Sequence, residues 1–181
     1  MSEVYPIKDD SIVNKMLELM KADGNNRIHL LFTIGIRTGY RISDILTLTY
    51  EDIRGQIRIT LKEKKTKKIR GIAIHEDIQK AFIDYDNGGT GLLFTSNSNR
   101  NKGKAISRIY VVNELKKYAE LAGFMENVGS HTMRKTFGYR IYRNTNNLAT
   151  VQKLLNHSNS SHTLRYIGIE AEQLDEAVMS A

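Results

Sequence analysis

Ser130 to Tyr142 reads SHTMRKTFGYRIY. As a helix capped by Ser130, this stretch projects His131 and Arg134, three residues apart, from one face near the positive N-terminal end, an arrangement that suits a phosphate. Two other stretches bear on it. Thr38 to Ile53 reads TGYRISDILTLTYEDI, where one helix stops near Thr38 and Gly39 and another begins after Arg41, with Ser43 as its cap. Leu154 to Ile169 reads LLNHSNSSHTLRYIGI, with His157 and, farther along, Tyr166. Taken singly, Arg41 reads as a surface charge at a helix start, and His131 with Arg134 as a helix end bearing an exposed arginine. Together they supply two bidentate phosphate clamps, two imidazoles and a tyrosine hydroxyl.

The rest of the composition narrows the classes. The chain has 181 residues, 40% of them apolar and 26% charged, which fits one globular domain with a sizeable core. A net charge of +7 favours a polyanionic partner, and by itself leaves nucleic acid and an anionic membrane surface both open. No apolar run is long enough to span a membrane, and MSEVYPIKDD lacks the basic end and apolar stretch of a signal peptide, so a soluble, cytoplasmic protein is expected. With no cysteine, disulfides, thiol nucleophiles and zinc-thiolate sites are excluded. His157 and His162 are not at helical metal-ligand spacing and no carboxylate pair accompanies them, which speaks against a metal hydrolase.

Residues 9–22 carry Val13, Met16, Leu17 and Met20 at helical spacing, and a second helix runs through Ile28, Leu31 and Phe32. The period then changes. Ile57, Ile59 and Leu61 alternate on one segment and Ile72 and Ile74 on the next, separated by KEKKTKK, which predicts a hairpin with a lysine-loaded tip. A helix around 76–84, a short strand GLLF and a polar, basic loop TSNSNRNKGK follow. Beyond residue 105 the pattern is helical: 105–122, 130–143, 147–156, a short turn carrying Tyr166, and 170–179. Tyr139 and Tyr142 read as packing residues, and His29, His75 and His162 as structural or surface histidines.

The three quoted stretches resemble, in order and internal spacing, the signature segments of the tyrosine recombinases, also called phage integrases. The resemblance implies a mixed α+β catalytic domain, mostly α-helical with a small antiparallel sheet or hairpin, expected to fill residues 1–181. Family members usually carry an N-terminal core-binding domain before it, and its absence from this sequence departs from that pattern, reading either as an excised catalytic domain or as a compact member of the family. The resemblance also implies a site-specific DNA recombinase of a phage or mobile element. Arg41 and Arg134 would grip the scissile phosphate, and Tyr166 would attack it to form a 3′-phosphotyrosyl link. His131 would accept a proton, His157 would donate a hydrogen bond to the phosphate, and a hairpin lysine would protonate the leaving 5′-oxygen.

Lys65, five residues before Arg70, fits the family pattern for that lysine, while Lys62, Lys64, Lys67 and Lys68 crowd the same tip. These four, with Arg70, Arg100, Lys102 and Lys104, are the expected DNA contacts, and Asp44 is expected to buttress Arg41. No cofactor or metal is implied. The partner is double-stranded DNA, with a monomer in isolation and a tetramer on DNA. The segment at about 170–180 has Leu174, Ala177 and Val178 on one helical stripe, which would dock either on its own domain or on a neighbouring protomer. A type IB topoisomerase and a non-catalytic DNA-binding accessory protein are the rival readings. The lysine hairpin and LLNHS argue against the first, and the intact residue set against the second.

Overall fold

The computed structural model describes residues 3–96, 98–157, 160–169 and 178–179, with backbone alone at 160–162. Helix α1 (Asp10–Ala22) starts where the Asp9 side chain accepts a hydrogen bond from Ser11 N, and of the stripe its spacing predicts it buries Val13, Met16 and Met20, with Leu17 half-buried at the edge. Helix α2 (Asn26–Thr38) is apolar almost all round and lies at the centre of the fold, with every residue from Ile28 to Ile36 buried. It touches α1 and four elements met below: α3 (Ile42–Ile45), α4 (Glu76–Tyr85), α5 (Arg108–Leu121) and α6 (Thr132–Thr145). It ends at Gly39, whose φ of 62° is left-handed and whose absent side chain makes room for the Phe137 ring, 2.4 Å from where a Cβ would stand.

Strands β1 (Arg58–Lys62) and β2 (Ile69–Ala73) form an antiparallel pair in which Ile59 faces Ile72 and Leu61 faces Arg70. Ile59 is fully buried, whereas Ile57 falls before the strand and is 80% exposed, so the predicted alternation holds for only part of its length. The lysine-rich tip is closed by Glu63 N donating to Lys68 O and Lys67 N donating to Glu63 O, both 2.9 Å, with Lys67 itself left-handed at φ 60°.

Helix α4 is capped by His75 Nδ1, which accepts from Asp77 N at 3.2 Å. The segment predicted as the strand GLLF is not a continuous strand: Leu92 makes an isolated bridge to Thr49, bends flank it, and Phe94 O accepts from Ile106 N at 2.9 Å. The basic loop after it holds a short 3-10 turn, Asn99–Asn101, and bridges of Thr95 to Ala105 and Ser96 to Lys102. Helix α5 (Arg108–Leu121) is capped by Ser107. Helix α6 starts at Thr132, two residues later than expected. Ser130 does not cap it; instead Thr132 Oγ1 turns back to accept from Gly129 N at 3.0 Å. Likewise Ser43 lies inside α3, and Arg41 occupies the N-cap position without a side-chain cap bond.

Helices α7 (Leu148–Leu154) and α8 (Ser160–Ile167) complete the described chain, and Tyr166 lies on α8 instead of the expected short turn. The helix forms because its apolar side packs on a small second core of Phe137, Val151, Leu155, Ile167 and Ile169, separate from the main core. Gly138 permits this approach, since a Cβ there would lie 2.7 Å from Ile167 Cγ2. The expected C-terminal helix lies outside the described residues, apart from a helical pair at 178–179. Among the described residues no helix is long and apolar enough to cross a membrane.

Candidate active site

Four breaks between elements converge on one place: the α2–α3 corner, the hairpin tip, the start of α6 and the α7–α8 connection. Arg41 reaches it because Gly39 reverses the chain after α2, while Tyr40 anchors the corner by donating its hydroxyl hydrogen to Ile59 O or Arg70 O of the hairpin. Arg134, in the first turn of α6, is 1% exposed and donates to Gly39 O and to Leu155 O. One guanidinium therefore ties the ends of α2 and α7 to α6. Burial pushes its pKa down to about 10, which leaves it charged at neutral pH.

His157 follows Asn156, a residue that tolerates the left-handed φ of 53° closing α7. Its Nδ1 lies 3.2 Å from the hydroxyl of buried Thr163, and its ring meets the Tyr166 ring edge to face at 4.8 Å between centroids. His131 Nδ1 is 3.1 Å from the Tyr166 phenol oxygen. The Lys135 ammonium sits 5.3 Å from the Tyr166 ring centroid, and burial pushes its pKa below the usual lysine range.

These surroundings set the protonation states. Burial pushes the Tyr166 phenol up to about 12, against the opposing pull of the Arg134 and Arg41 charges, so the hydroxyl keeps its proton at neutral pH. His131 moves the other way. Shielding of its ring, and then the positive charges of Arg134, Arg41, Lys135 and Lys65, hold it below the ordinary histidine range. A neutral imidazole next to a neutral phenol is a base next to its acid.

Behind the arginines lies a residue that the sequence did not single out. Glu63, first in the hairpin tip, is fully buried. Its carboxylate stands 3.2 Å from Arg41 Nη1, 3.5 Å from Arg70 Nη1 and 3.9 Å from Arg134 Nη1, and accepts from Thr66 Oγ1 at 2.7 Å. Burial alone would raise its pKa, but the Thr66 hydrogen bond and the Arg41 and Arg134 charges outweigh burial and lower it. Asp44 is buried as well, with Oδ2 4.0 Å from Arg41 Nη1 and Oδ1 accepting from Lys64 N at 3.0 Å, the buttress expected of it. In the sequence Glu63 is one acid in a run of lysines, and nothing local marks it as buried.

Lys65 lies exposed at the tip between Glu63 and Thr66, with its charge felt at His131. Lys62, Lys64, Lys67 and Lys68 are exposed on the same hairpin, and Arg100, Lys102 and Lys104 on the loop after Thr95. Arg70 departs from the expectation of a DNA contact. It is 8% exposed and turned inward, donating to Thr38 O and lying over the Tyr40 ring, because Leu61 opposite it leaves the guanidinium on the core side of the hairpin. His29 is buried, and Tyr139 and Tyr142 pack on the second core as predicted. The His162 side chain lies outside the described residues. No group of acids and histidines fit to hold a metal occurs among the described residues.

The model of the phage integrase family matches residues 9–173. The chain belongs to this family. Over 171 residues it is 38% identical to the probable integrase/recombinase YoeC of Bacillus subtilis (strain 168), covering 93% of this chain and 92% of that protein. It is 30% identical to the tyrosine recombinase XerC of Caldanaerobacter subterraneus subsp. tengcongensis, covering 91% of this chain and 47% of that one. This phage integrase family chain thus spans nearly all of one relative and about half of another. The XerA recombinase crystal structure superposes with a TM-score of 0.75 at 20% identity, over 98% of this chain and 63% of that one. The catalytic domain of bacteriophage HP1 integrase does so with a TM-score of 0.67 at 23% identity, over 98% and 95%. The fold is the tyrosine recombinase catalytic domain, mostly helical with a small antiparallel pair of strands.

Proposed function

We propose that this chain is a site-specific recombinase that cleaves and rejoins double-stranded DNA through a 3′-phosphotyrosyl intermediate on Tyr166. The observation that carries the reading is the 3.1 Å approach of the Tyr166 hydroxyl to neutral His131, beside two arginines. His131 takes the phenolic proton as the Tyr166 oxygen bonds to phosphorus, and Arg41 and Arg134 stabilise the charge on the non-bridging oxygens. Arg41 has donors to spare: its Nη1 is in ion-pair range of Glu63 but makes no aligned hydrogen bond. His157 donates to the same phosphate, and Lys65 delivers a proton to the departing 5′-oxygen. The phosphodiester is exchanged for a phosphotyrosyl ester and a 5′-hydroxyl, and rejoining reverses the step.

Tyr166→Phe removes the attacking oxygen alone. On a nicked suicide substrate it should form no covalent protein–DNA adduct, with DNA affinity within about twofold of the parent by the small change in contact. A surviving adduct would reject the assignment of the nucleophile.

Recombination also requires protomers to meet. The structural neighbours include a XerH recombinase described as bound to a palindromic difH substrate and a lambda integrase dimer described as bound to a core site. By analogy this chain is a monomer alone and assembles to a tetramer on paired sites, where DNA supplies the effective concentration. Sedimentation of free protein and of protein on a two-site duplex checks this; a stable oligomer without DNA would contradict it.

A further inference from the structure

The reading of Tyr166, Arg41, Arg134 and Lys65 leaves Glu63 without a role, although its carboxylate lies against both arginines of the site. A fully buried carboxylate is costly unless its partners require it. Here the partners come from distant parts of the chain: Arg41 from the α2–α3 corner, Arg70 from β2, Arg134 from α6 and Asn156 from the end of α7, the last donating to Glu63 Oε2 at 3.4 Å. Three like charges gathered around one carboxylate repel, and Asp44 is the only other acid in contact with any of them among the described residues.

The distances say what Glu63 does for them. Its contacts of 3.5 Å and 3.9 Å to Arg70 and Arg134 balance charge without taking up donors in short bonds, and Arg41 Nη1 at 3.2 Å is out of hydrogen-bond alignment. The firm bond goes to Thr66, on the far side of Lys65, while the main chain of Glu63 closes the same turn to Lys67 and Lys68.

We infer that Glu63 is a positioning residue whose single carboxylate holds Arg41 and Arg134 at the spacing of one phosphate and, through Thr66, fixes the turn presenting Lys65, so that phosphate grip and leaving-group protonation are assembled as one unit. The inference rests on the proposed cleavage reaction and goes beyond it by coupling two of its parts through a residue that does not touch DNA.

Single-turnover cleavage at saturating DNA, on a suicide substrate with an ordinary phosphodiester and on one with a 5′-bridging sulfur, tests both halves, because a thiolate leaves without a proton. Glu63→Gln keeps the size and the Thr66 contact point and removes the charge. It should cleave the ordinary substrate about 100-fold more slowly and the sulfur substrate about 10-fold more slowly, the residual loss belonging to the arginines and the difference to Lys65. Glu63→Asp, charged but shorter, should recover part of the loss on both.

Unchanged cleavage of both substrates by Glu63→Gln overturns the inference. Equal loss on both removes the link to Lys65, and loss confined to the ordinary substrate removes the link to the arginines. Should Glu63→Gln fail to fold by circular dichroism, Thr66→Val keeps the charge and cuts only the tie to the turn. It should then slow the ordinary substrate by about 10-fold and spare the sulfur one; any other pattern overturns the coupling. Tyr166→Phe on the same substrates separates the two readings: an adduct from that variant rejects the nucleophile and the inference with it, whereas its absence beside an unaffected Glu63→Gln rejects the inference alone.

Discussion

His131 and Tyr166 are poised by opposite shifts, and the consequence can be read as a pH profile. His131 is held below the ordinary histidine value, first by shielding and then by nearby cations, whereas Tyr166 is pushed up to about 12. Above the depressed His131 pKa its Nδ1 is free to accept the phenolic proton. As the pH falls through that pKa, Nδ1 gains a proton and the base is lost. Cleavage should therefore hold level through neutral pH and decline only in acid, below the usual histidine midpoint of about 6.5. His131→Gln keeps a polar group near the phenol but cannot accept the proton. It should slow cleavage by about 100-fold and abolish the acid decline. Single-turnover rates between pH 5 and 9 check this, on the order of one point per half unit. An acid limb of unchanged position in the variant would assign it to another group.

Helix α8 depends on a core that is not the main one. The small cluster of Phe137, Val151, Leu155, Ile167 and Ile169 joins α6, α7 and α8, while α1 to α5 pack around the larger core. Tyr166, the proposed nucleophile, thus rides on an element whose packing can loosen while the rest stays folded. At Gly138 α6 meets α8 and the end of α7 with room for no side chain: an added Cβ would meet Ile167 at 2.7 Å and Leu155 at 3.1 Å. Gly138→Ala should cost about 1–3 kcal/mol of local packing and reduce covalent adduct formation well beyond its effect on DNA affinity. Hydrogen exchange should show α8 opening earlier, with α2 protection unchanged. Equal loosening of α2 would show that the two cores act as one.

The surplus charge of the chain is spread over exposed lysines and arginines, which we propose answer to the DNA backbone. With Arg70 and Arg134 buried in the site, the hairpin tip contributes Lys62, Lys64, Lys67 and Lys68 to the surface, and the loop after Thr95 contributes Arg100, Lys102 and Lys104. Contacts of this kind give affinity without sequence preference and release counterions. Replacing Lys67 and Lys68 together by alanine should weaken binding to target and non-target DNA alike and reduce the slope of log affinity against log salt by about 1 to 2. A loss confined to the target sequence would make these lysines readers of bases instead.

The local patterns of the chain decided a good deal. The three-residue spacing of His131 and Arg134, the placing of Arg41 after Thr38 and Gly39, and the interval from His157 to Tyr166 marked the site, and the apolar stripes of α1 and α2 marked the helical core. These are legible because helix period and capping are set by residues a few positions apart. What the tertiary structure decided depends on partners far away in the chain. The segment around Tyr166 is a helix because α6 and α7 offer it an apolar surface. Arg70 turns inward because Thr38 O and Glu63 await it. Glu63, outwardly one more charge in a solvated lysine run, is buried because Arg41, Arg70 and Arg134 meet there, and burial of a charge is settled by the charges around it.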